Sequence, residues 1–148
     1  MAPIVATTEV ARPPDVVFSY VTDPSRFAEW QENVVDGHMD GDGPHGVGAR
    51  CITVRRIGFA KRPVTAEITA IDPPTTWAVH GVDGPIRATV NVAVEALDEG
   101  AHSRVTIEIE FEGHGIGKVL VPLVVLRDAR KEMPRNLGRL KQRLEGHS

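Results

Sequence analysis

The chain has 148 residues, 41% hydrophobic and 25% charged, with a formal charge of −3. One domain over residues 1–148 is expected, since a chain of this length buries roughly 70% of its unfolded surface in a single core. The acidic balance argues against a nucleic-acid partner, which needs a clustered basic surface, and the lone Cys51 excludes an internal disulfide and fits a reducing compartment.

The first residues lack the basic region and apolar run of a secretory signal. Residues 3–11 alternate and predict a strand, which Pro13 and Pro14 stop. Proline suits the first turn of a helix, where its missing N–H has no partner to lose. Val16, Val17, Phe18 and Tyr20 cover two turns at most. Asp23 is then a candidate N-cap with Pro24 at the first helical position, so a second short helix follows at a bend. It presents Phe27 and Trp30, three apart, on one side.

From Val34 to Gly113 the period changes to two. Val105, Ile107, Ile109 and Phe111 alternate with Arg104, Thr106, Glu108 and Glu110, the pattern of a half-buried antiparallel strand. Ile86, Ala88, Val90, Val92 and Val94 form a second such apolar face, taken as inward. Turn residues separate six strands at about 34–40, 47–56, 60–72, 75–82, 85–97 and 101–113.

The C-terminal part changes period again. Leu123, Leu126, Ala129, Met133, Leu137, Leu140 and Leu144 recur at three and four, one apolar stripe of a long helix. Pro122 lies near its start, and Pro134 inside it is expected to bend it by removing a hydrogen bond. The basic residues of 127–143 are interleaved with Asp128 and Glu132 and read as a solvated face. Val119–Leu126 is apolar nearly all round, which predicts contact on a second side, with a ligand or with a second subunit in a homodimer. It is far short of the ~20 residues that span a bilayer. A cytoplasmic protein without stable membrane insertion is expected.

Helices segregated from a run of hairpins mean an α+β fold. A curved sheet gripping one helix leaves space between them unless large side chains fill it, and only 5% of the residues are aromatic. An internal cavity is therefore expected. The glycine-rich "GDGPHGVG" at 41–48 lacks the lysine and helix start of a phosphate loop and reads as a hairpin. The six histidines show no helical pairing for a metal, so neither metal nor cofactor is expected. If the cavity did chemistry on a ketone, it would need a cation or acid for the oxygen and a base near neutrality. Candidates are Arg50, Arg55, His80, Arg87, Arg127 and Asp128. Arg55 and Arg56 are neighbours on one strand, so one points inward. His80, three residues after Trp77, falls on the opposite face of a regular strand. Trp77 shares a face with Val79 and reads as cavity wall. Phe59, at a hairpin tip, reads as part of the mouth.

"VARPPDVVFSYVTDPSRFAEW", "ITAIDPPTTW" and "LGRLKQRLE", in this order, resemble the polyketide cyclase/dehydrase-type branch of the START-like helix-grip superfamily. The resemblance covers roughly residues 5–145. It implies a seven-stranded curved antiparallel sheet around a long C-terminal helix, with the two short helices closing one end of the cavity and Trp30 plugging its base. It also implies a hydrophobic or amphipathic small-molecule ligand, lipid, sterol or polyketide-like. The ligand-lining candidates are then Trp30, Arg55, Phe59, Trp77, Val79, His80, Val90 and Val92, with Leu120, Leu123, Val124 and Arg127 at the entrance. Two other readings stand beside the binder. One is an enzyme of aldol-type cyclisation or dehydration, which needs an inward Arg and an inward acid or His. The other is a protein-interaction module with Val121, Val124 and Val125 exposed.

Overall fold

A computed structural model describes residues 3–41, 46–57 and 60–146. The centre of the 41–48 segment, with His45, and the hairpin tip with Phe59 lie outside the described residues. Seven antiparallel strands form one sheet in the order β1-β7-β6-β5-β4-β3-β2. They are β1 (Ile4–Val10), β2 (Val34–Met39), β3 (Arg50–Ile57), β4 (Ala60–Asp72), β5 (Thr76–Gly81), β6 (Ile86–Leu97) and β7 (His102–Gly113). Strands β2 to β7 follow one another as hairpins, and β1 adds to the free edge of β7. Register shifts in β2 and β4 mark bulges, which bend a sheet locally and help it curl.

Two short elements carry the chain from β1 at one edge to β2 at the other. The first is α1 (Pro14–Val21), which buries Val17, Phe18 and Val21. The second is a 3-10 helix, Pro24–Glu29, capped by Asp23, whose carboxylate accepts from the Ser25 backbone N–H at 3.0 Å. It buries Phe27, whose ring meets Trp30 and Trp77 edge-on, with centroids 6.0 and 6.3 Å away. Strand β2 lies so close to this helix that a methyl group at Gly37 would collide with the Pro24 carbonyl.

The long C-terminal element begins earlier than its apolar stripe predicts. It comprises α2 (Gly117–Leu120), a π-turn at Val121–Val125 and α3 (Leu126–Leu144). Gly117 packs on the Pro85 carbonyl with no room for a β-carbon. Met133, Leu137, Leu140 and Leu144 join the main apolar cluster with Val10, Val17, Val105 and Ile107. Leu140 is fully buried, a burial of the kind that stabilises by roughly 1.5–3 kcal/mol. Pro134 sits on the solvent side within α3, and the helix continues through it. Among the described residues no helix is long and apolar enough to cross a membrane.

Polar ties hold the later half of α3. Glu32 accepts from Arg135 at 3.0 Å and Arg139 at 3.4 Å, and its backbone N–H donates to Asn136 Oδ1 at 3.1 Å. Lys141 donates to the Glu9 carbonyl at 2.8 Å. Among the described residues, Lys118, Arg130 and Lys131 in the earlier half have no such partner. A second, smaller cluster of Ile86, Val121 and Leu126 lies at that end. The core is thus divided, and the space between its two parts is the cavity.

Candidate functional site

The sheet wall of the cavity follows from the register. Trp77, Val92 and Ile107 form one cross-strand row, and Val79, Val90 and Ile109 form the next. Further along stand Ala66, Gly81 and Ala88, which are small where a filled core would need bulk. Val124, Val125, Ala129 and Met133 close the space from the helix side. The enclosed volume is about 180 Å3. Arg56, exposed yet bordering the cavity, marks its open rim.

One end is polar. Cys51, Thr53 and Arg55 alternate inward on β3. The Arg55 guanidinium donates through Nε to Thr53 Oγ1 at 3.1 Å, and through Nη1 to Gln31 Oε1 at 3.1 Å and Asn33 Oδ1 at 3.3 Å. All three acceptors are neutral, and Nη2 has no partner among the described residues. The side chain is half-buried and borders the cavity. Burial draws its pKa below the ordinary arginine range, while Cys51 and Glu132 pull it back up; the side chain stays a cation. Burial likewise pushes the Cys51 thiol up, against the pull of Arg55.

Asp128, Glu132 and Asn136 face this end from successive turns of α3. Burial raises the Glu132 pKa, the carboxylates of Glu32 and Asp128 add to that, and Arg135 and Arg55 oppose it. Trp30, buried and bordering the cavity, has an indole N–H with no acceptor among the described residues. The arrangement can therefore donate from a fixed cation, and accept or donate at a carboxyl group inclined to hold its proton, beside an apolar chamber.

Of the residues singled out from sequence, Trp30, Arg55, Trp77, Val79, Val90, Val92 and Val124 border the cavity together. Phe59 lies outside the described residues. His80 does not border it: the ring is on the other face of β5, where Nδ1 lies 2.7 Å from Thr89 Oγ1. Leu120 packs against the smaller apolar cluster instead. Leu123 is 65% exposed, and Arg127 points to solvent beside Asp128. The π-turn accounts for Leu123, because its wider spacing breaks the phase of the apolar stripe before Leu126, whereas Arg127 lies in regular α3, four residues before exposed Lys131 on the same outer row. For the same reason Val121, Val124 and Val125 form no surface patch: Val121 is buried and the other two border the cavity.

Sequence reasoning passed over Gln31, Asn33, Glu132 and Asn136. Asp128 and Glu132, four apart and continuous with Val124 and Asn136 along one helix row, carried a usable signal. Among the described residues no cluster of His, Cys, Asp and Glu could hold a metal.

The profile of the family described as polyketide cyclase/dehydrase and lipid transport matches residues 1–145. No curated protein sequence matches the chain. Among solved structures, a protein from Thermus thermophilus superimposes with a TM-score of 0.78 at 16% identity, over 99% of both chains. A START superfamily protein from Mycobacterium smegmatis gives 0.78 at 13% identity over 100% of both. The aromatase/cyclase Zhui from a Streptomyces species gives 0.74 at 14% identity, over 99% of this chain and 97% of that one. At these identities the likeness is one of fold, a curled seven-stranded sheet around a C-terminal helix. The match along almost the whole sequence carries the further conclusion: this chain belongs to the polyketide cyclase/dehydrase and lipid transport family.

Proposed function

We propose that the chain holds a compact molecule in this cavity, apolar in its body and polar at the end that meets Arg55. The observation that carries the reading is an aliphatic and aromatic chamber ending in a guanidinium whose Nη2 protons have no partner among the described residues. Burial of the apolar body would supply affinity at roughly 25 cal/mol per Å2, and the few polar groups would fix its orientation. The 180 Å3 volume is close to the ~150 Å3 of a pocket that takes benzene. It is below the roughly 300–1,000 Å3 of pockets for larger ligands. A lipid, sterol or extended polyketide would protrude past Arg56 or part the helix from the sheet. Cys51, free and buried, suits the cytoplasmic setting of this reading. Native mass spectrometry of freshly purified protein tests it. A small co-purifying molecule is the expected result. No adduct, together with no affinity across a panel of aromatic acids, fatty acids and sterols, would overturn it.

A second reading is supported by Arg55 and Glu132 bordering one chamber. An aldol-type cyclisation or dehydration needs a donor for an enolate oxygen and a carrier for the proton. Arg55 would be the donor. Glu132, whose pKa lies above the ordinary glutamate range, would be the carrier. Turnover of a poly-β-ketone analogue, lost in Glu132→Gln with binding retained, distinguishes the enzyme from the binder.

A further inference from the structure

The apolar side chains that the helix leaves outside are not scattered. Ile116, Val119 and Leu123 are 65%, 53% and 65% exposed, all within two turns of one another. Val119, Leu123, Arg127 and Lys131 recur at intervals of four, one exposed row. In a plain α-helix such a row drifts round the axis, and the wider π-turn at Val121–Val125 takes the drift back. Lys118 and Arg130 are exposed beside the row. Across the cavity rim, the β3–β4 hairpin adds exposed Arg56, Lys61 and Arg62. In residues 115–131 and 55–62 the one carboxylate outside these cations is Asp128, which faces the cavity and pairs with Arg127 at 3.7 Å. A chain of net charge −3 thus carries cations around this group of exposed apolar residues.

We infer that this face docks on the surface of an anionic lipid bilayer. Branched apolar side chains at the tip enter the headgroup–acyl boundary, and the flanking Lys and Arg stems let their charges reach lipid phosphates. A second copy of the chain is the poorer occupant, because a two-fold contact through this face sets like charges against each other. The inference goes beyond the cavity reading and does not rest on it.

Co-flotation of the purified chain with phosphatidylcholine vesicles, with and without about a quarter phosphatidylglycerol, is the test. The chain is expected to float with the anionic vesicles only, and less as salt rises. Val119→Asp with Leu123→Asp should abolish flotation. Arg127→Glu with Lys131→Glu should weaken it roughly tenfold or more. Unchanged far-UV circular dichroism is required of both. If a variant unfolds, a polarity-sensitive dye on Leu123→Cys, in a Cys51→Ala background, should shift to the blue with anionic vesicles. Equal binding to both vesicle types, no flotation of the wild type, or no dye shift would each overturn the inference. So would a wild-type dimer that Val119→Asp with Leu123→Asp converts to monomer without any flotation.

Discussion

Arg55 on the sheet and Glu132 on the helix face one cavity from opposite walls, yet no ion pair joins them among the described residues. Each feels the other's charge, and the space between them is left for something else. Arg55→Met is expected to fold but to lose about 1–3 kcal/mol of unfolding free energy in urea, because Thr53, Gln31 and Asn33 lose their donor. It should weaken binding of whatever polar-ended ligand native mass spectrometry identifies.

The raised Glu132 pKa gives a signed pH dependence. Its folded pKa lies above the unfolded value, so the folded state binds the proton more readily, and this residue costs stability as pH rises through that window. Below the ordinary glutamate pKa the cost is gone. Glu132→Gln should thus be more stable than wild type at neutral pH, by less than about 1 kcal/mol after solvent screening. The two proteins should converge as pH falls to about 4. Chemical denaturation at several pH values checks this, and a gap that widens toward acid would contradict it.

Filling the chamber separates its emptiness from its role. Val90 stands mid-wall between Val79 and Ile109. Val90→Phe should occupy part of the 180 Å3 and leave Tm unchanged or higher, whereas in a solid core added bulk costs about 1–3 kcal/mol. The same change should abolish uptake of an apolar fluorescent probe. A lowered Tm with uptake intact would place the probe elsewhere.

Gly37 tests how the short helices are held. A β-carbon there runs into the Pro24 backbone carbonyl, which cannot swing aside as a side-chain tip would. Gly37→Ala should cost about 1–3 kcal/mol in denaturant unfolding. A neutral outcome would mean that β2 and the Pro24–Glu29 helix are not packed as described.

Much of the sheet was legible because both its faces leave a signature in the sequence. The alternations in β6 and β7 put Val90, Val92, Ile107 and Ile109 on the inner face. Trp77 and Val79 followed from parity alone; parity also set His80 on the opposite face, against its place among the ligand-lining candidates. The helix was legible only where its apolar stripe is regular. Pro122 reads as a start signal, but the helix already begins at Gly117, and the π-turn between shifts the phase. That shift is why Leu123 stands outside while Val124 borders the cavity; Arg127 and Asp128 follow the regular phase of α3. Glu132 was passed over because an acid among basic residues looks solvated, although its spacing of four from Asp128 set both on one row. Gln31 and Asn33 have no periodic pattern at all, since they belong to the turn after the 3-10 helix and matter only through Arg55.

The π-turn also acts as a phase adjuster. Gly117 is keyed to Pro85 at one end, and Met133 to Leu144 are keyed to the sheet at the other. A uniform helix with the same number of residues cannot satisfy both keys at once. The wide turn holds one residue more than an ordinary α-turn, so removing one residue from Val121–Val125 would let the segment close as plain α-helix with both keys still in phase. Inserting one residue there would instead turn everything before it by about 100°, and either Gly117 would leave its seat or the cavity's lid would present a different set of side chains. Exchanging one aliphatic residue for another, or deleting one, should therefore be tolerated in this segment, whereas adding one should not.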